Sequence, residues 1–349
     1  MSRPVLLVLR ALGLGDLLTA VPALRALAEA FPGHERVLAT PASLATFALG
    51  LGLSDRVLCA RPLAPVAWPG GPIDLAVNLH GRGPESHAVL RALGPRRTIT
   101  FAPAGAPGSS GSAGSSGTNR SEGPAWRAEE HEVARWCRLL VESGVPADPA
   151  RLEIAAPRGA PPAAARGATL LHPGAASAAR RWPAPRWSAV AAALAAGGHA
   201  VVITGGPDEV GLAHEVARGA GLGERAVLAG RTSLMDLARA VGAAARVVCG
   251  DTGVAHLATA LGRPSVILFG PTPPALWGPP ADRPWHRALW AGMSGDPHAD
   301  EPHEGLLRLR VEDVLEALST LPGAPGGKPL AGRDGAVSRG RAMEYGVCR

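Results

Sequence analysis

Residues 249–257, Cys-Gly-Asp-Thr-Gly-Val-Ala-His-Leu, decide how this chain is read. Ala245-Arg246-Val247-Val248, just before them, reads as a short buried strand. Val254 to Gly262, just after, reads as a small-residue helix stopped by a glycine. Asp251, Thr252 and Gly253 therefore occupy a strand-to-helix turn. The first N–H groups of a helix have no partner inside it, and its macrodipole is positive there, so such a turn suits a phosphate or diphosphate. Gly253 permits close approach, and Asp251 or Thr252 can cap the helix. An ordinary capped helix in an α/β domain fits the same residues equally well.

A second turn of this kind lies near the N-terminus. The apolar run Val5-Leu6-Leu7-Val8-Leu9 ends at Arg10, and Ala11-Leu12-Gly13-Leu14-Gly15-Asp16 leads into a helix expected over 17–31. The glycines suggest a dinucleotide fingerprint, but the third glycine is replaced by Leu18. No acidic residue ends the second strand either, where Thr40-Pro41 stands, so nicotinamide-cofactor binding is poorly supported. Asp16 reads as an N-terminal cap worth about 1 kcal/mol. It reads also as a carboxylate aimed into a cleft, where it could take a proton from an attacking hydroxyl.

Strands alternate with helices through both halves, which predicts two doubly wound parallel sheets. The first half adds strands near 37–40, 57–59 and 73–79, the last ending in the polar turn His80-Gly81-Arg82-Gly83. Gly/Ser-rich residues 103–124 read as a flexible insert, 129–143 as a helix and 155–168 as a linker. The second half reads as strands at 168–171, 200–204, 226–228, 247–249 and 265–269, with helices between them and a last helix at 311–321. The expected domains are 1–155 and 168–321, with 322–349 a disordered Gly/Pro-rich tail.

Two more segments carry possible chemistry. His172-Pro173-Gly174 follows a buried strand and leads to Arg180-Arg181-Trp182-Pro183, an arginine pair that can grip phosphate oxygens; a solvated basic loop is the plainer reading. Thr204-Gly205-Gly206-Pro207-Asp208-Glu209 offers carboxylates to ribose hydroxyls or to a helix cap. His256 lies on the first turn of the helix after Gly253, where it could face a phosphate or sit as a satisfied core histidine.

Composition narrows the classes. The chain has 349 residues, 46% of them hydrophobic, and a formal net charge of +6 carried almost wholly by arginine, Lys328 being its one lysine. No basic run with interleaved aromatics appears, so no nucleic acid is expected, although a basic surface suits anionic substrates or peripheral association with an anionic membrane face. The cysteines at 59, 137, 249 and 348 show neither zinc-site nor disulfide-framework spacing. No apolar run nears the roughly 18–20 residues of a spanning helix, and a cytoplasmic enzyme is expected.

In order along the chain, Gly13-Leu14-Gly15-Asp16-Leu17-Leu18 with Pro22-Ala23-Leu24, His172-Pro173-Gly174, Arg180-Arg181-Trp182-Pro183 with Trp187, Gly205 to Glu209, Asp251 to Leu257 and Gly270-Pro271-Thr272 resemble glycosyltransferase family 9, the ADP-heptose:lipopolysaccharide heptosyltransferases. The likeness spans roughly residues 4–320. It implies a GT-B fold of two Rossmann-like domains facing a cleft, the first binding acceptor and the second nucleotide-sugar. It also implies inverting, metal-independent transfer without a cofactor, from an ADP-sugar donor to a glycan or glycolipid of the cell envelope. Asp16 matches the catalytic base. Gly174, Arg180, Arg181, Glu209, Asp251, Thr252, Gly253 and His256 match the donor side, Glu209 holding ribose; Gly15, His80 and Arg82 fall on the acceptor side. Arg180 stands where the family commonly has lysine. An epimerase-like nucleotide-sugar enzyme and a non-catalytic nucleotide-sugar-binding protein are the competing readings.

Overall fold

The computed structural model describes residues 3–103 and 123–322. The expected insert at 103–124 and the tail at 322–349 lie, but for their edges, outside the described residues.

The first half runs β1 (Val5–Leu9), α1 (Leu14–Thr19), α2 (Val21–Ala30), β2 (Glu35–Thr40), α3 (Ala42–Gly50), β3 (Arg56–Cys59), β4 (Ile73–Asn78), α4 (Glu85–Arg91), β5 (Arg97–Ile99) and α5 (Glu132–Glu142). Its five strands are parallel in the order β3-β2-β1-β4-β5. The second half runs β6 (Thr169–His172), α6 (Ala184–Ala196), β7 (Val201–Ile203), α7 (Val210–Gly219), α8 (Leu234–Ala243), β8 (Arg246–Gly250), α9 (Gly253–Ala260), β9 (Ser265–Leu268), α10 (Pro274–Trp277), β10 (His286–Leu289), α11 (Glu304–Leu307) and α12 (Val311–Ser319). Its sheet is also parallel, in the order β10-β9-β8-β6-β7.

The inner strands are mostly buried on both faces, as a sheet covered on both sides by helices requires. In β1, Leu6 and Val8 join one core while Val5, Leu7 and Leu9 join another. The core that holds Leu6 and Val8 also holds Leu170, Val247 and Ile267, so one apolar layer runs from the first sheet into the second. Each fully buried leucine in it contributes about 1.5–3 kcal/mol.

Topology then locates the site. The strand order reverses between β1 and β4 in one sheet and between β6 and β8 in the other. Ligands of open α/β sheets bind at the carboxyl ends of strands flanking such a reversal. Arg10, His80, His172 and Asp251 each lie at one of those ends.

Two expectations are corrected. The helix expected over 17–31 is two helices meeting at Ala20, because Pro22 stands in the first turn of α2 and cannot donate back into a continuous ladder. Residues 226–228 do not form a sheet strand. Glu224–Ala226 is a 3-10 turn, and Val227 makes only an isolated bridge to Ile203. The fifth strand on that side is instead β10, beyond β9.

Candidate active site

On the first sheet the site is organised by Arg10, whose side chain is fully buried. Its Nε donates to the Asp16 carbonyl at 2.9 Å, and its Nη1 donates to the Leu79 carbonyl. Nη2 donates to Thr19 Oγ1 at 3.1 Å and to Glu132 Oε1 at 3.0 Å, and the guanidinium lies 4.8 Å from the centre of the Trp136 ring. A buried guanidinium demands this, since each donor left without an acceptor would cost free energy.

Asp16 is the third residue of α1. Its Oδ2 accepts the Gly13 N–H at 3.1 Å and its Oδ1 lies 3.5 Å from Arg10 Nη2, yet the side chain keeps 27% exposure. The carboxylate thus caps its helix and still faces the open side. Burial raises its pKa, Arg10 opposes that shift, and Glu132 adds to it. Across the strand reversal, His80 Nδ1 accepts the Ala11 N–H at 3.2 Å, and burial followed by the Arg10 charge pushes this histidine down to about 4. The Asn78 amide pins the loop that follows, donating to the Gly81 carbonyl and to Ser86 Oγ at 3.0 Å and accepting from the His80 N–H at 3.0 Å. Arg82, on that loop, is exposed.

On the second sheet, β8 delivers Asp251, whose N–H still bonds the Leu268 carbonyl at 3.1 Å. Arg180 Nη1 donates to the Asp251 carbonyl at 3.2 Å. Burial pushes the Asp251 carboxyl up to about 6, against the pull of Arg180 and with added repulsion from Asp16. Thr252 is the N-cap of α9, but its side chain makes no capping bond, and Thr252 Oγ1 and Arg180 Nε are both buried without a partner. Orphaned polar atoms at one helix start are where a ligand would restore the lost hydrogen bonds.

Beside them, Glu209 Oε2 accepts the Gly206 N–H at 2.7 Å, and Gly174 exists to admit that carboxylate: a Cβ at Gly174 would stand 2.0 Å from Glu209 Oε1. His172 supports the arrangement, with Nδ1 3.1 Å from Thr204 Oγ1 and Nε2 3.9 Å from Glu209 Oε2. Arg181 does not join Arg180; it is exposed and its Nε donates to the Ala175 carbonyl at 2.8 Å, holding the 174–177 loop.

The two halves meet where α1 and α9 begin. A Cβ at Gly15 would lie 2.9 Å from His256 Cδ2, and one at Gly253 would lie 2.9 Å from Leu14 Cβ. His256 packs edge-on to Trp277 at 5.8 Å, and burial, then the nearby His131, push it down to about 4, so the ring is neutral. At the N-cap of α5, His131 Nε2 donates to the Gly278 carbonyl at 3.0 Å, tying that helix start to the second half. The result brings carboxylates, Arg180 and the start of α9 into one region where the two halves meet. It can present a base on one side and anion-stabilising donors on the other.

Among the described residues no group of three or more His, Cys, Asp or Glu could hold a metal ion, and no helix is long and apolar enough to cross a membrane.

Arg10, Glu132 and Trp136 are site residues that the sequence reading passed over. Arg10 carried a signal: alternation along β1 puts it on the face of Leu6 and Val8, which are buried. Glu132, Arg135 and Trp136 share a helix face by their spacing, but nothing in one sequence pairs them with Arg10.

The family model described as glycosyltransferase family 9 (heptosyltransferase) matches residues 97–296, more than half of the chain. A lipopolysaccharide heptosyltransferase 3 of Escherichia coli is 33% identical over 149 residues, 40% of this chain and 42% of the relative. The chain thus matches about two-fifths of the length of such curated relatives. A solved family 9 glycosyl transferase of Veillonella parvula superposes with a TM-score of 0.68 at 18% identity, covering 92% of this chain and 98% of the other. The E. coli ADP-heptose lps heptosyltransferase II gives 0.66 at 18% identity, covering 91% and 98%. The two facing parallel sheets are therefore a GT-B arrangement.

Proposed function

This chain belongs to glycosyltransferase family 9, and from that premise we propose that it transfers a heptose-like sugar from an ADP-sugar to a hydroxyl of a lipopolysaccharide-type acceptor, with inversion and without a metal. On this reading residues 1–155 bind the acceptor and 168–321 the nucleotide-sugar. The enzyme works in the cytoplasm, at the inner face of the membrane that carries its acceptor.

The observation that carries the reading is the meeting of α1 and α9, with Asp16 on one side and the Asp251-Thr252-Gly253 turn on the other. In the proposed step, Asp16 takes the proton of the acceptor hydroxyl as its oxygen bonds the anomeric carbon. The bond from that carbon to the diphosphate breaks on the opposite face, and its electron pair goes to the departing ADP. Arg180, Thr252 Oγ1 and the first N–H groups of α9 stabilise the growing negative charge, the largest kind of contribution in many enzymes. Asp251 Oδ atoms, free of hydrogen bonds among the described residues, and Glu209 orient donor hydroxyls, Glu209 those of the ribose. His80, Arg82 and the close approach allowed by Gly15 shape the acceptor side.

The test follows the product. Incubated with ADP-heptose, heptose-deficient lipopolysaccharide and excess EDTA, the enzyme should form a glycoside of inverted anomeric configuration by proton NMR, together with one ADP per transfer. A retained configuration, or loss of turnover restored by a divalent ion, contradicts it. Consumption of donor without acceptor would point to an epimerase-like or hydrolytic enzyme.

A further inference from the structure

We infer that Arg10 and Glu132 are positioning residues: a buried ion pair, built from two segments far apart in the chain, that fixes where the Asp16 carboxylate points and divides with it the charge of one guanidinium. The inference rests on Asp16 being the base, and it adds two residues that touch neither substrate.

The geometry carries it. Arg10 holds both the main chain and the side chain of Asp16, through Nε to its carbonyl at 2.9 Å and Nη2 to Oδ1 at 3.5 Å. The same Nη2 lies closer to Glu132, at 3.0 Å. Glu132 is buried and is itself held by the Trp136 Nε1–H at 2.8 Å and by the Arg135 guanidinium. Arg135 in turn donates to the carbonyls of Arg127 at 3.2 Å, Ala128 at 3.1 Å and Glu130 at 2.7 Å. Two carboxylates therefore compete for one buried cation, and the fixed one wins the shorter contact. Were Glu132 absent, Asp16 would have the guanidinium to itself, its negative charge would be stabilised, and it would be a weaker base. Were Arg10 absent, Asp16 would keep only the Gly13 N–H as an anchor and would lose the one cation beside it among the described residues.

Among the described residues Arg10 and Glu132 are the charges that act on Asp16, and Asp16 in turn acts on Asp251. Arg10 comes from the end of β1, Glu132 from α5 and Asp251 from the end of β8; His80, after β4, and His256, on α9, are both held neutral. The opposing directions already present at Asp16, down from Arg10 and up from Glu132, agree with the contacts.

The test reads Asp16 directly. The carboxyl carbon of Asp16 is titrated by NMR in protein labelled with 13C-aspartate, its signal assigned by its absence in Asp16→Asn. Glu132→Gln keeps an oxygen for Arg10 and Trp136 and should lower the Asp16 midpoint by about half a unit or more, whereas Arg10→Gln should raise it by a comparable amount. With ADP-heptose and heptose-deficient lipopolysaccharide, Glu132→Gln should lower kcat several-fold with KM for the donor little changed, and Glu132→Asp should recover part of it. If Arg10→Gln does not fold, as judged by circular dichroism, the Glu132→Gln midpoint decides alone. A midpoint unmoved in folded Glu132→Gln, or moved upward, overturns the inference. The titration needs no turnover, so it stands apart from the base assignment, which fails instead if Asp16→Asn remains active.

Discussion

Gly15 and His256 meet across the two halves of the molecule with no room for one more carbon, since a Cβ at Gly15 would stand 2.9 Å from His256 Cδ2. In a free helix, alanine would be the better residue by about 1 kcal/mol. Here overpacking costs about 1–3 kcal/mol, so the contact outweighs the propensity. Gly15→Ala should therefore separate α1 from α9, lowering kcat/KM at least about tenfold while far-UV circular dichroism stays unchanged. Steady-state kinetics would check this; unchanged turnover would show that the contact does not serve the reaction.

Arg180 has a buried, unpartnered Nε beside the start of α9, and the proposed function gives it the donor's diphosphate to grip. Arg180→Ala should weaken ADP binding by about 10-fold or more, and Arg180→Lys by less, because an ammonium keeps the charge but not the fork. Calorimetry at two salt concentrations tests both variants, and the wild-type salt dependence should be the steeper.

Asp251 predicts a conflict between stability and function. Its carboxyl titrates at about 6 in the fold, above the 3.8 expected of an unperturbed aspartate. The folded state thus binds more protons between these values, so stability falls as pH rises through that window, by on the order of 3 kcal/mol in all. Asp251→Asn removes the titration. It should melt several degrees higher than wild type at pH 8, with the advantage shrinking toward pH 5, while transfer is lost. An equal melting difference at both pH values would contradict the account.

Gly174 and Glu209 predict a steric switch in the proposed donor site. A methyl group at Gly174 would sit 2.0 Å from Glu209 Oε1 and push that carboxylate off the Gly206 N–H. Gly174→Ala and Glu209→Gln should both narrow the preference for ADP over 2′-deoxy-ADP in competition binding. If Glu209 holds ribose, the two variants lose discrimination to a similar degree.

How much of this was legible in the chain depends on the range of the interaction. The strand-turn-helix units at Asp16 and at Gly253 are local, with a run of apolar residues broken by Gly and Asp; the second lies where it is expected, whereas α1 starts three residues early, at Leu14, so that Gly13 is the N-cap and Asp16 the third helical residue. The break at Ala20 needed the weight of Pro22, and β10 is a short edge strand, His286–Leu289, whose partly exposed residues give no buried-strand signal. At 226–228 three apolar residues imitate a strand, but only Val227 finds a bridge. Arg180 and Arg181 look alike in sequence, yet only the fold turns one toward the Asp251 carbonyl and the other toward Ala175. Arg10 and Glu132 stand 122 residues apart, and no periodicity links them.

If Asp16 is the base, it removes the acceptor proton while the second half alone grips the donor. The most direct test is Asp16→Asn, which can still accept the Gly13 N–H and so keeps the helix cap. In that variant kcat should fall by about 10³-fold or more while calorimetric affinity for ADP and the melting temperature stay close to wild type. Turnover within a few-fold of wild type would contradict the base assignment.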